Sequence, residues 1–147
     1  MEKLTQSEIE KMLKMLKSTI EKEVALPSLG NFVEFQVVGE SKKDLFGIKV
    51  YRGRIQKNKL NLGAQIKKNG IMLLELHINP TNVHINPDGE KIVGSHWHIY
   101  SEEYERRQAF PASDVFGNNF IDDTIAFLTE FNVVEKPHVS IQLELLS

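Results

Sequence analysis

Four of the five histidines in this 147-residue chain, His77, His84, His96 and His98, lie between Leu76 and Tyr100. Histidine titrates closer to neutral pH than any other side chain and is the commonest metal ligand, so their concentration marks where chemistry would sit. One such chemistry is acid–base catalysis without a metal, in which one imidazole takes a proton and a second group gives one. A second is a metal site, because His-x-His on a strand presents two ligands on one face, with His77, Glu75 or Asp88 as a third. A third is binding alone, the histidines and Tyr100 forming a polar contact surface. An ordinary structural origin stands beside these. Half-exposed strands carry His and Tyr, and the Asn-Pro-Asp-Gly run at 86–89 is what a tight turn requires.

The elements that must position these side chains read as strands. Along Ile71–Ile78, alternation puts Met72, Leu74, Leu76 and Ile78 on an apolar face and Glu75 and His77 on the other. Along Ile92–Tyr100, Val93, Trp97 and Ile99 take the apolar face, and His96, His98 and Tyr100 the opposite one. If the two strands are neighbours, Glu75, His77, His96, His98 and Tyr100 project from one side of the sheet, with His84, Asn86 and Asp88 in a loop over one end. Upstream, Val33/Phe35/Val37, Phe46/Ile48/Val50 and Leu60/Leu62/Ala64/Ile66 alternate in the same way, with turns at 39–44 and 68–70. A short extended piece is expected near Gln108–Phe110.

Helices flank the strands. Thr5 and Glu8 have capping-box spacing, and Ile9, Met12, Leu13, Leu16 and Ile20 predict an apolar stripe along a first helix. Asn118 or Asn119 is expected to cap a second helix, with Asp122 and Asp123 in its first turn and Phe120, Ile121, Ile125, Leu128 and Phe131 buried. Val139, Ile141, Leu143 and Leu145 suggest a final strand. The expected fold is α+β, a mainly antiparallel sheet of five to six strands packed with an N-terminal and a C-terminal helix, in a single domain over residues 1–147.

Composition narrows the function classes. The chain is 41% hydrophobic and 26% charged, which suits a globular protein. It has no cysteine, which excludes disulfides, thiolate catalysis and Cys-ligated metal centres. No apolar run approaches the roughly 20 residues that span a bilayer, and the N-terminus lacks a signal-peptide layout, so a cytoplasmic location is expected. Net charge is −2 but unevenly spread. Residues 40–68 hold nine Lys or Arg against Glu40 and Asp44, whereas residues 69–147 hold four against twelve acids. The basic segment suits a polyanion, although Lys-rich exposed strands also arise for solubility. Tyr51-Arg52-Gly53-Arg54-Ile55 puts two arginines around a glycine, an arrangement fit for phosphate contact or for a bulge with surface ion pairs.

Arg52–Ile55 (R-G-R-I), Asn86–Gly89 (N-P-D-G), His96–Tyr100 (H-x-H-I-Y), Tyr104 and Ala109–Pro111 occur in an order that resembles an uncharacterised family of small prokaryotic and phage-associated proteins, over about residues 5–132. The resemblance implies a mobile-element setting, hence toxin, antitoxin or anti-defence roles. Matching positions are Arg52, Arg54, His84, Asp88, His96, His98 and Tyr100. The chain departs from the family at Tyr51, where Asn is usual, at Lys67, where Arg is expected, and near His77, where an Asp is absent.

The leading expectation is a small mobile-element ribonuclease-like or RNA-interacting protein. His96, His98, Tyr100 and His84 are its candidate catalytic residues, and Arg52, Arg54, Lys59 and Lys67 its candidate phosphate contacts. RNA cleavage through the 2′-hydroxyl needs that acid–base pair plus such cations. The alternative is a non-enzymatic interaction protein, an anti-defence inhibitor or antitoxin, that binds a host or toxin protein through its acidic half. A His-ligated divalent metal is the third option, behind a metal-free site.

Overall fold

Thr5 opens the first helix by accepting a hydrogen bond from the Glu8 amide while the Glu8 carboxylate accepts one from the Thr5 amide. The computed structural model describes residues 3–113, 116–117 and 119–141. Helix α1 (Gln6–Lys14) ends sooner than its apolar stripe predicts: Met15 is extended, and Leu16 and Ile20 are 62% and 52% exposed. The cause is Lys17. Its side chain turns inward and its ammonium donates to the carbonyls of Leu13, Met15 and Phe131 at 3.3, 2.9 and 2.8 Å, so the chain leaves the helix to form strand β1 (Lys17–Thr19).

The remaining elements are β2 (Glu23–Leu26), β3 (Phe32–Val38), β4 (Leu45–Arg52), β5 (Leu60–Ile66), β6 (Met72–Ile78), β7 (His84–Ile85), β8 (Lys91–Ile92), β9 (His96–Ile99), β10 (Ala109–Pro111), α2 (Phe120–Glu130), β11 (Val133–Glu135) and β12 (His138–Ile141). The fold is α+β, as expected, but among the described residues the main sheet has eight strands rather than five to six, in the order β10-β9-β6-β5-β4-β3-β1-β11. Three of the eight, β1, β10 and β11, are three residues long, too short for alternation to declare a period. Neighbours in this sheet are antiparallel except β1 and β11, and a separate parallel pair joins β2 to β12.

The predicted hairpins form with the expected sides inward: Phe35, Val37, Phe46, Ile48, Val50, Leu60, Leu62 and Ala64 are buried. Asn119 caps α2, accepting from the amides of Ile121 and Asp122; Asn118 lies outside the described residues. The most buried side of α2 is Thr124, Phe127 and Leu128, with Phe131 just beyond it, whereas Ile121 and Ile125 are only partly buried. Asp123 turns inward as well, accepting from the Gly117 amide at 2.9 Å. Trp97 stacks on Phe127 with ring centroids 6.1 Å apart, which ties the histidine strand to this helix. The segment expected as one strand from Ile92 to Tyr100 is two, because Gly94 has a φ of 83° that breaks extended pairing and leaves Val93 in solvent. Leu143 and Leu145 of the expected last strand lie outside the described residues.

Candidate metal centre

Strands β6 and β9 are antiparallel neighbours with His77 opposite His96 and Glu75 opposite His98. This register puts all four side chains on one side of the sheet, because alternate residues of paired strands share a face. The ring centroids of His77, His96 and His98 are 4.9–5.2 Å apart, and one ligand nitrogen from each lies within 4.8 Å of the others. His84 joins from the ribbon β7/β8, its ring centroid 4.8 Å from that of His98 and 5.6 Å from that of His96. Four histidines from three strands thus surround one small volume.

Their second nitrogens are held from behind. The Nδ1 of His96 faces the Gly94 carbonyl at 2.9 Å, and that of His98 the Arg106 carbonyl at 2.7 Å. A carbonyl can only accept, so Nδ1 carries the hydrogen in both rings and Nε2 keeps its lone pair. The Nε2 of His84 donates to the Arg107 carbonyl at 2.8 Å. The Nε2 of His77 lies 3.5 Å from Glu75 Oε1. Carboxylate or carbonyl behind the ring is how ligating histidines are held elsewhere, because it fixes both tautomer and ring plane.

Electrostatics favour the neutral form of His96 and His98. Burial, followed by the neighbouring His77, pushes His98 down to about 4. His96 is lowered too, again mainly by burial, against a partly compensating bond to Gly94. Burial would push the Glu75 carboxyl up, but hydrogen bonds from His77 and Arg106 and their charges outweigh it and hold it at about 2. Arg106 grips Glu75 through two contacts, Nε to Oε2 at 2.8 Å and Nη2 to Oε1 at 2.6 Å. The result is a fixed carboxylate beneath the neutral imidazoles of His96 and His98.

Above the rings the chain crosses from β6 to β9 as a cover. Asn79 adopts a φ of 51° to leave β6 and is anchored by its amide to Ser95 Oγ at 3.0 Å and by Nδ2 to the Asn58 carbonyl at 2.8 Å. Asn86 then clamps the ribbon down: Nδ2 donates to the Ala109 carbonyl at 2.9 Å, and the Ala109 amide donates to Oδ1 at 2.7 Å. What remains between cover and sheet is a solvent-open pocket of about 500 Å³ lined by the four histidines together with Lys59, Asn61 and residues 80–83. Asn61 sits on β5 directly across from His77, and its Oδ1 is buried with no hydrogen-bond partner among the described residues.

The expected site residues divide. His84, His96, His98 and Lys59 meet at the pocket. Tyr100 follows on the same face of the sheet but lies outside the pocket, its hydroxyl 3.4 Å from Glu105 Oε2. Arg52 reaches the Pro27 carbonyl at 3.3 Å and covers the Phe120 ring, while Arg54 lies over Gly30; neither lines the pocket. Lys67 pairs with Glu34 at 2.7 Å on the β3–β5 surface. Asp88 accepts from the Glu90 amide within its turn. Asn61 was not singled out in the sequence, where only its outward parity beside His77 carried a signal; Glu75 was, as a possible third metal ligand, but its pairing with Arg106 was not.

An α+β domain whose mostly antiparallel sheet carries a histidine-lined pocket toward its β10 edge is the class of protein that fold and site define. More particularly, the chain belongs to the family described as a family of unknown function (DUF6978), whose model matches residues 4–133. This agrees with the resemblance to an uncharacterised family. No curated protein and no solved structure matches the chain. Among the described residues, no helix is long and apolar enough to cross a membrane.

Proposed function

We propose that the protein binds a divalent transition-metal ion through His77, His96 and His98 and presents it to the pocket beneath the β7/β8 ribbon. The observation that carries this reading is the convergence of three imidazoles whose other ring nitrogens face Glu75, Gly94 and Arg106. A metal needs neutral imidazole, which burial favours at His96 and His98; a proton donor needs imidazolium, which burial penalises. Ligand nitrogens around a tetrahedral zinc-like ion lie about 3.3 Å apart, so ring nitrogens now within 4.8 Å need shifts on the order of 1 Å to close on it. Three protein nitrogens leave a fourth position for water or substrate, the pattern of a reactive rather than a purely structural zinc site.

The test is the metal content of untagged protein. Close to one zinc, manganese or similar ion per chain is expected, falling below a tenth in His96→Ala/His98→Ala while the circular dichroism spectrum is retained. Metal-free wild type that also fails to take up added Zn²⁺, Mn²⁺, Co²⁺ or Ni²⁺ would refute the reading.

A second reading keeps the leading sequence expectation, a metal-free ribonuclease of a mobile element with His96 and His98 as acid and base. Lys59 at the pocket supports it, since a phosphate needs a cation beside the proton-transfer pair. Cleavage of an RNA pool by wild type in excess EDTA, lost in the double variant, would favour this second reading over the first.

A further inference from the structure

We infer that the pocket hydrolyses phosphodiesters, with Asn61 Oδ1 accepting a hydrogen bond from the water on the histidine-bound ion and Lys59 holding the phosphate. This rests on the metal reading above. Its starting point is the buried amide oxygen of Asn61, an acceptor without a donor among the described residues, set across the β5–β6 pair from His77. A buried acceptor left without a partner is rare and calls for an explanation. The ring N–H groups around it are committed elsewhere: His84, His96 and His98 donate to backbone carbonyls, and the Nε2 of His77 faces Glu75. The donors left are the Lys59 ammonium and the pocket's occupant, and water on an ion held by the three histidines would be such an occupant.

The substrate class follows from charge and size. Among the described residues no carboxylate lines the pocket, and Lys59 does. Glu75, beneath the rings, is already matched by Arg106. A dication added to this setting makes the pocket attract anions, and about 500 Å³ accommodates a nucleotide-sized group. A diester can place one of its two non-bridging oxygens on the ion and the other on the Lys59 ammonium. The glycine of the R-G-R motif gains a role here. A Cβ on Gly53 would lie 2.6 Å from the Gln56 carbonyl oxygen and 2.9 Å from the Cβ of Lys59, so only glycine lets the Lys59 side chain cross at that point. In the reaction, the water oxygen forms a bond to phosphorus and the bond from phosphorus to the leaving oxygen breaks. The water releases one proton to solvent and the leaving oxygen takes one up, so that diester and water become monoester and alcohol.

The test uses full-length protein stripped with EDTA and reloaded with one equivalent of Zn²⁺ or Mn²⁺, with bound metal measured on every sample. Bis(p-nitrophenyl) phosphate and p-nitrophenyl phosphate are the substrates. Wild type is expected to cleave the diester in preference to the monoester. Asn61→Ala is expected to keep its metal and lose about 10- to 100-fold in kcat with KM little changed, because it removes a contact to the attacking water. Lys59→Met is expected to raise KM and provides a second variant independent of Asn61. Metal bound without diester cleavage overturns this inference and leaves the metal reading standing; failure to bind metal overturns both. Equal rates in wild type and Asn61→Ala overturn the role of Asn61, and preference for the monoester overturns the substrate class.

Discussion

Glu75 touches both the Arg106 guanidinium and the His77 ring, so a change of one atom there reaches the site without removing a ligand. Glu75→Gln keeps the shape and deletes the charge behind His77. Metal affinity is expected to fall about 10- to 100-fold, read by competition with a chromophoric chelator, while stoichiometry stays the same. Unchanged affinity would mean that the Glu75–His77 contact does no orienting. The histidines themselves were legible in the sequence, because two strands of period 2 put His77, His96 and His98 on one face whatever the details of pairing. The pairing of Arg106 with Glu75 was not, because it spans 31 residues of chain, a separation no local pattern encodes. Nor was the parting of Arg52 and Arg54 from the histidines. Spacing cannot reveal that Arg52 turns toward Pro27 and Phe120, or that Lys59, a few residues later, is the cation that enters the pocket.

The β7/β8 ribbon stays over the histidines through one side chain. Asn86→Ala leaves the amide and carbonyl of Ala109 without their buried partner, at a cost of about 2–4 kcal/mol. The melting temperature is expected to drop by roughly 5–10 °C. Amide exchange at Ala109 should accelerate far more than exchange in the β4–β5 hairpin, and equal changes at both places would show that the clamp is not local. The turn made by Asn86–Gly89 was readable from residue type, since Gly89 has a φ of 93° and its amide returns to the Asn86 carbonyl at 2.8 Å. That the Asn86 side chain also reaches across to another strand was not, because a turn explains the residue completely. The long hairpins β3–β4 and β4–β5 were legible for the opposite reason: seven or eight alternating residues leave one register that buries the apolar set. Three-residue strands carry no such redundancy, and the helical spacing of Leu16 and Ile20 was coincidence, overruled by the inward turn of Lys17.

Lys17 acts on the molecule as a whole. It is 1% exposed, sits 3.9 Å from the Phe131 ring centroid, and donates to carbonyls at the ends of both helices. Cations favour helix C-termini, and the carbonyls and the ring face all prefer the ammonium, yet desolvation pulls it down to about 7. The unfolded chain keeps this proton up to its ordinary value of 10.5, so between about pH 7 and 10.5 the unfolded state holds more protons and stability rises with pH. Denaturant titrations at pH 7 and pH 9 are expected to show wild type gaining up to about 2 kcal/mol relative to Lys17→Met. An equal change in both proteins would show that Lys17 remains charged throughout. The same residue belongs to a wider seam. Strand β1 pairs with β11 and β2 with β12, so the first quarter of the chain finds its partners in the last. On a ribosome, which releases the chain from its N-terminus onward, Lys17 emerges more than a hundred residues before Phe131 does. The hairpins of the middle can pair as they appear, but Lys17 stays uncovered until Phe131 has emerged.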